Sequence, residues 1–274
     1  MGATGSDPGR ARLHWWGTLL YIPILYGAGW LAARPLALFF PGWRIDQVDL
    51  AGAAIALVLL LATLPWRLRR TWSSTTPWSS LGLARPIRQA LLTYLRGLLK
   101  ALLLLGGVCA ALLLLGLARW GPPPTWGEWL NAAALAFGVG FAEELLFRSW
   151  LMGELTLLMG ASRALLLQAV LFSLLHNRFQ LPPTTLVPLL VGLLMLGLAL
   201  GLQRSADGGA LWGAIGLHGG LVGGWFALSQ GWLQIAPATP TWLIGGSAVS
   251  ANPIGGLLGL LGLFVLLLSR RRWW

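Results

Sequence analysis

The sequence predicts an all-α, polytopic membrane protein with about eight transmembrane helices in a bundle. Hydrophobic residues make up 57% of the 274-residue chain and charged residues only 10%, whereas soluble domains carry about 25% charged residues. Apolar runs of about 20 residues, long enough to cross a bilayer as a helix, recur along the whole length. Arginines cluster at the ends of these runs, as they do in proteins whose charges set membrane topology.

The predicted elements follow one another in a simple order. A polar segment, 1–13, precedes one transmembrane domain over residues 14–272. Its spans are 15–40, 48–66, a third ending near 119, a fourth starting near 129, 161–176, 184–203, 210–229 and an eighth ending at Arg270–Arg272. The longest connection, 67–89, combines arginines with Ser, Thr and Pro, which is typical of a loop on the membrane surface.

The positions of the arginines predict the orientation of the spans. Eight spans place both termini on one side, together with Arg10, Arg12, the basic stretch 67–88, Arg163, Arg204 and Arg270–Arg272. Fewer arginines fall on the other side: Arg44, Arg119 and Arg178. Because Lys and Arg concentrate in cytoplasmic loops, we expect a multi-pass protein of the cell membrane with both termini in the cytoplasm.

The net charge of +11 does not indicate nucleic-acid binding. The arginines flank apolar runs and do not line one polar face, so the lipid bilayer is the expected partner of these charges. Cys109 is the only cysteine and lies in an apolar helix, so no intramolecular disulfide can form.

Glycines four residues apart recur in the later spans. Small residues at this spacing let helices approach closely in lipid. They therefore predict tight helix packing and not a phosphate-binding loop. The pairs are Gly197 and Gly201, Gly220 and Gly224, and Gly255 and Gly259.

Two adjacent carboxylates, Glu143 and Glu144, stand in the fourth predicted span. The chain has only eight acidic residues, and a charge near the bilayer centre costs about 2.5–3.5 kcal/mol on insertion scales. Neighbouring helical residues point about 100° apart, so the two carboxylates are not expected to enter one site. Residues four apart share a face, so Glu144 is expected to pair with Arg148. Glu143 is then the candidate general base that activates a water.

Two of the three histidines, His176 and His218, lie within or at the end of apolar runs. Glu143 lies about 17 residues before the turn near Gly160, and His176 about 16 residues after it. With a rise of about 1.5 Å per residue, antiparallel helices would bring both side chains to the same depth. His218 is roughly mid-span. A lone buried histidine or an acid beside an arginine is often structural, but their convergence in so charge-poor a chain favours a functional site.

Three segments around these residues resemble the motifs of one known family. Glu143-Glu144-Leu-Leu-Phe-Arg148 fits its EExxxR motif, and Phe172-Ser-Leu-Leu-His176 fits its FxxxH motif. The segment that ends at His218 resembles the one leading to the last histidine of the family. The family is the CPBP group, which comprises CAAX prenyl proteases and bacteriocin-processing enzymes. The resemblance covers about residues 130–230, the expected protease core.

The resemblance implies an intramembrane endopeptidase that cleaves a membrane-associated peptide or protein, prenylated or leader-type. By carry-over, Glu143 activates water, His176 helps to hold it and His218 polarises the scissile carbonyl. The candidate catalytic residues are Glu143, Glu144, His176 and His218, with Arg148, Phe172 and Asn177 in support. Two histidines and a glutamate can also bind zinc and leave one coordination position free. Two alternatives therefore remain: a zinc ion on Glu143, His176 and His218, or a metal-free site.

One position departs from the family pattern. The family commonly carries Asn or a similar polar residue four positions after its last histidine, and this chain has Val222 there. An oxyanion donor is therefore missing at that position. Asn177 or a backbone N–H is the expected substitute.

Two other functions compete with the peptidase. A catalytically inactive family member would act as a membrane scaffold or an immunity factor. A proton-coupled transporter would use Glu143 and the histidines as a relay, but it needs a continuous polar path, and the other spans have few polar residues. The charge count also places His176 toward the non-cytoplasmic half, whereas prenyl-protein processing needs an opening to the cytosol.

Overall fold

The computed structural model describes residues 13–176 and 180–269. Its helices are α1 (Trp15–Ala33), α2 (Leu36–Phe39), α3 (Ile45–Thr71), α4 (Pro77–Ser80), α5 (Ile87–Leu114), α6 (Trp126–Glu143), α7 (Met152–Met159), α8 (Ala161–Leu175), α9 (Pro183–Ala206), α10 (Trp212–Ala227), α11 (Thr241–Ile244) and α12 (Leu257–Leu268). A π-helical segment, Glu144–Leu151, extends α6, and Pro253–Gly255 forms a 3₁₀ turn. The segment Leu228–Trp232 follows α10 and leaves helical geometry at Gln230 and Gly231. Two short strands, β1 (Ala118–Trp120) and β2 (Leu233–Ile235), complete the described elements.

Each of the eight predicted spans contains a helix. Among the described residues, five helical stretches are long and apolar enough to cross a membrane: Trp15–Phe39, Ile45–Thr71, Ile87–Leu114, Trp126–Met159 and Pro183–Ala206. Helices α8 and α12 are apolar but shorter. The all-α membrane bundle is therefore confirmed, while the count of eight spans stays a prediction.

The sequence predicted no strands, and the structure has one short antiparallel pair. Ala118 lies opposite Ile235, and Trp120 lies opposite Leu233. The rings of Trp120 and Trp232 are 5.6 Å apart, and Trp129 meets Trp232 edge-on. Tryptophans concentrate where membranes meet water, so this cluster indicates that the strand pair lies at the membrane interface.

The chain forms two compact units, Met1–Ser80 and Leu81–Trp274. In the first unit α1 packs against α3, and a Cβ at Gly29 would overlap the backbone of Gly52. The hydroxyl groups of Tyr21 and Thr63 join the two helices at 2.7 Å. The division reflects the contacts within each unit and does not test the single transmembrane domain expected over residues 14–272. That domain stays a prediction.

Helix α10 is the central helix of the second unit and packs against both α5 and α6. A Cβ at Gly216 would overlap the carbonyl oxygen of Tyr94 on α5, and a Cβ at Gly219 would overlap that of Ala136 on α6. Because glycine has no Cβ, both neighbours approach the α10 backbone directly. The predicted glycine packing is found, for example where Gly197 meets Ala169 on α8.

A buried polar network joins α5 to the end of α9. Arg96 forms an ion pair with Asp207. Lys100 Nζ donates to Gln203 Oε1 at 2.6 Å, and Gln203 Nε2 donates to Asp207 Oδ2 at 2.8 Å. These contacts satisfy polar groups that would otherwise be costly to bury, and they fix the end of the unit that is opposite the strand pair.

Replacement of Gly216 by leucine should destabilise the protein by about 1–3 kcal/mol or more, because the side chain would force α10 away from α5. Thermal unfolding in detergent measures the effect. Gly106→Leu is the matched control, since a Cβ at Gly106 meets nothing within 4 Å. Equal melting temperatures for the two variants would contradict the close contact of α10 with α5.

Candidate active site

The helix that carries the two glutamates widens into a π turn at the site. Segment Glu144–Leu151 is π-helical and lies between α6 and α7. Arg204 on α9 donates from Nη1 to the carbonyl oxygens of Arg148 and Ser149, and the Ser149 hydroxyl donates to the Leu81 carbonyl at 2.7 Å. These contacts stabilise a backbone conformation that is rare and that often marks functional sites.

Glu144 is the buried hub of the site. Its Oε1 accepts hydrogen bonds from Arg148 Nη1 at 2.9 Å and from His218 Nδ1 at 2.8 Å. The side chains of Glu144 and Arg148 are completely buried, and that of His218 is 5% exposed. The Arg148 guanidinium also lies 3.9 Å from the centre of the Phe172 ring. The expected pairing of Glu144 with Arg148 is therefore present, and the same carboxylate also orients His218.

Glu143 faces the other nitrogen of the same imidazole. Its Oε2 lies 3.9 Å from His218 Nε2 and 3.2 Å from His176 Nε2. As expected, the two adjacent glutamates have different partners, Arg148 for Glu144 and His176 for Glu143. Their directions diverge, and an imidazole placed between them presents one nitrogen to each. Glu143 and His176 lie at the same depth, as the helix lengths predict.

Hydrogen bonding fixes the orientation of both imidazoles. His176 Nδ1 lies 2.7 Å from the Phe172 carbonyl oxygen, which can only accept, so Nδ1 carries a proton there. His218 Nδ1 likewise donates to the Glu144 carboxylate. In their neutral forms both rings therefore present an Nε2 lone pair toward Glu143.

Three acceptors that face one point repel one another unless a proton or a donor lies among them. Glu143 Oε2 is buried and makes no aligned hydrogen bond with the residues that the structure describes. A water has two O–H groups that can donate to such acceptors, but because Oε2 is buried it must approach from the open side of the Glu143 side chain, which is 26% exposed. The geometry therefore suits the binding of a polarised water beside Glu143.

A cavity of about 1080 Å³ connects this site to the strand pair. Glu143, His176 and His218 line it, and so do β2 and the segment 247–254. The side chains of Glu143 and His176 are 26% and 32% exposed. The two carboxylates thus differ in environment, since Glu143 reaches the cavity and Glu144 does not.

The supporting residues fall in different places. Phe172 packs between the two imidazoles, with its ring centre 4.4 Å from that of His176 and 5.8 Å from that of His218. Val222 lines the cavity as an apolar side chain. Asn177, the expected substitute donor, lies outside the described residues.

Some parts of the site were not predicted from the sequence. Arg204, β2 and the segment 247–254 contribute to it through contacts distant in the chain. Only Arg204 carried a signal, as a charge near the end of an apolar span.

The three expected zinc ligands, Glu143, His176 and His218, lie together at the cavity. In the described ranges, 13–176 and 180–269, no group of three or more His, Cys, Asp or Glu side chains has the arrangement of a metal site. A zinc ion on Glu143, His176 and His218 stays a prediction.

Replacement of the buried Glu144 should lower the stability of the protein strongly, whereas replacement of the cavity-facing Glu143 should change it little. Glu144→Ala leaves the Arg148 guanidinium buried without its counter-charge, a change that typically costs about 3–5 kcal/mol. Glu143→Ala is expected to cost far less, because its side chain borders the cavity. Thermal unfolding of both variants in detergent measures the difference. A similar melting temperature for both variants would show that Glu144 is not the structural hub.

Two family models match parts of the chain. The model of the Type II CAAX prenyl endopeptidase Rce1-like family matches residues 124–223, and a domain of unknown function (DUF8676) matches residues 3–76. The second match ends close to the boundary between the two compact units. No curated protein and no solved structure matches the chain. The resemblance to the CAAX prenyl proteases, which the three motifs predict, is confirmed over the segment that carries Glu143, His176 and His218.

Proposed function

We propose that the protein is an intramembrane endopeptidase in which Glu143 activates a water to hydrolyse a peptide bond. The observation that carries this proposal is the Glu143 carboxylate, which lies 3.2 Å and 3.9 Å from two imidazole nitrogens at the wall of a large cavity. The Rce1-like match over residues 124–223 supports a protease in general. The five long apolar helices support a substrate that is presented at the membrane.

Each step of the proposed reaction uses a group of this chain. A water held by His176 Nε2 gives a proton to Glu143 while its oxygen bonds to the scissile carbonyl carbon. Glu143 then passes that proton to the leaving amine as the C–N bond breaks. The general base thus becomes the general acid, and no net proton is gained or lost.

His218 is the proposed partner of the developing oxyanion. In this proposal His218 enters the reaction as the imidazolium, with one proton on Nδ1 toward the Glu144 carboxylate and a second on Nε2 that it takes from solvent before the water attacks and keeps afterwards. The arrangement is similar to the buried aspartate that supports the histidine of a serine-protease triad. An imidazolium N–H can donate to the oxyanion in place of the polar residue that Val222 replaces. Glu144 and Arg148 act as positioning residues that hold this ring.

Substitution of Glu143, the proposed base, or of His218, the proposed oxyanion partner, should strongly lower the rate of cleavage. Glu143→Gln and His218→Ala are each expected to lower kcat for a quenched peptide substrate by at least about 10²-fold, because general acid–base catalysis contributes about 10²–10⁴-fold. The measurement is the rise in fluorescence when the purified protein, in detergent or liposomes, cleaves the quenched peptide. Prenylated and leader-type peptides are compared as substrates.

Controls for this assay separate the competing functions. Glu143→Gln must keep the wild-type melting temperature, and His218→Ala, which removes a hydrogen-bond partner of the buried Glu144, must remain folded at the assay temperature. The effect of a chelator on cleavage decides the metal question: loss of cleavage, with recovery on adding zinc, would assign a metal to the site, and unchanged cleavage would favour a metal-free one. A physiological phenotype that survives Glu143→Gln would favour the scaffold or immunity factor. Proton uptake into liposomes would favour the transporter.

We infer the side of the membrane from which substrate enters from the charges of the second unit. The cavity extends toward β2, where β1 carries Arg119. The opposite end of the unit carries Arg85, Arg96 and Arg204, which contact residues 207–209. Since arginines concentrate on the cytoplasmic side, the cavity is proposed to extend to the non-cytoplasmic side and to receive leader-type or transmembrane substrates there.

Cysteine labelling tests this orientation. In a Cys109→Ala background, Trp120→Cys should react with a membrane-impermeant maleimide on intact cells, because Trp120, the last residue of β1, is exposed. Arg88→Cys should react only after the membrane is permeabilised. The reverse pattern would place the cavity opening in the cytosol and would favour prenylated cytosolic substrates.

A further inference from the structure

Strand β2 has one edge that is paired and one that is not. The backbone N–H of Ala236 donates to Leu117, and that of Gly121 donates to Trp232, on either side of the β1–β2 register. Hydrogen-bonded and non-hydrogen-bonded pairs alternate in an antiparallel ladder. The middle bonded pair is therefore Arg119 with Gln234, and the backbone groups of Leu233 and Ile235 point away from β1.

The groups on this outer edge are available for pairing. The N–H of Leu233 donates to the Leu228 carbonyl. Within the described residues, no backbone or side-chain hydrogen bond is found for the carbonyl of Leu233 or for the N–H and carbonyl of Ile235. An acceptor, a donor and a second acceptor on one strand edge are the groups to which an extended peptide binds.

This edge borders the cavity that contains Glu143. Leu233, Gln234 and Ile235 all line it. The residues of β1 are not among the lining residues, so β2 lies between β1 and the cavity. An unpaired strand edge is normally blocked or covered because it attracts other strands. Here it is open toward the proposed reaction centre.

The distance between the edge and the reaction centre suits a peptide. Leu228 follows His218 by ten residues along α10, which is about 15 Å of helix at about 1.5 Å per residue. An extended chain advances about 3.3 Å per residue. A substrate cut beside His218 would therefore reach β2 about four to six residues from the scissile bond.

We infer that the outer edge of β2 binds the substrate backbone as a third strand of the β1–β2 sheet. This inference rests on the proposed peptidase function and names the form of its substrate, an extended peptide segment. Recognition through main-chain groups is independent of side-chain identity. It also holds the chain straight, so that a peptide bond is presented to Glu143 in a fixed position.

The test compares a long substrate, with eight residues on each side of the scissile bond, with a short one that has three on each side. Ile235→Pro removes the edge donor without removing a bond to β1. This variant should lower about tenfold the ratio of kcat/KM for the long substrate to kcat/KM for the short one, mainly because KM for the long substrate rises. The matched control is Ala118→Pro, which removes an outward N–H from the opposite edge of the same sheet and should leave the ratio unchanged.

A second measurement needs no variant of the protein. Single N-methylation of the long substrate, scanned over residues four to six from the scissile bond, should lower wild-type kcat/KM at alternate positions, because only alternate amides point toward β2. A flat scan together with an unchanged ratio in Ile235→Pro would overturn the third strand and leave the peptidase standing. Absence of cleavage of both substrates would overturn the peptidase itself and this inference with it.

Discussion

The carboxylate of Glu144 is the contact on which the site depends. It is completely buried, and it joins α10, through His218 Nδ1, to the π segment, through Arg148. A buried charge is tolerated only when it is paired and hydrogen-bonded, so the three side chains form one unit. Their contacts fix the His218 ring with its Nε2 toward Glu143. Glu143 can border the cavity because its neighbour Glu144 makes the buried contacts with Arg148 and His218.

Helix packing makes this contact possible. Glycines along α10 allow α5 and α6 to approach its backbone, and a Cβ at Gly216 or Gly219 would prevent the approach. His218 thereby sits among the buried residues of α10, within reach of the end of α6. In a bilayer, where burial of apolar surface between helices contributes little, such backbone contact is a principal source of association.

The sequence was sufficient for the features that follow from hydropathy and helix geometry. Apolar runs located the helices, and equal distances from the turn near Gly160 placed Glu143 beside His176. The spacing of four residues paired Glu144 with Arg148. The bond between Glu144 and His218 joins residues 74 apart, and helical periodicity carries no information on such contacts. The π segment and the β1–β2 pair also depend on distant partners, since Arg204 supports the first and each strand of three residues is too short to predict alone.

The interdependence of Glu144 and Arg148 affects how this segment can diverge among descendants. Neither residue can be exchanged alone without stranding a charge in the protein interior, so the two must be lost together or kept together. Glu143 is under no such restriction. Under the proposed function, a descendant that retains the second glutamate and the arginine but has a different residue before them would preserve the architecture and lose the chemistry. The second half of the motif would then report ancestry, and its first residue would report whether the proposed catalysis is kept.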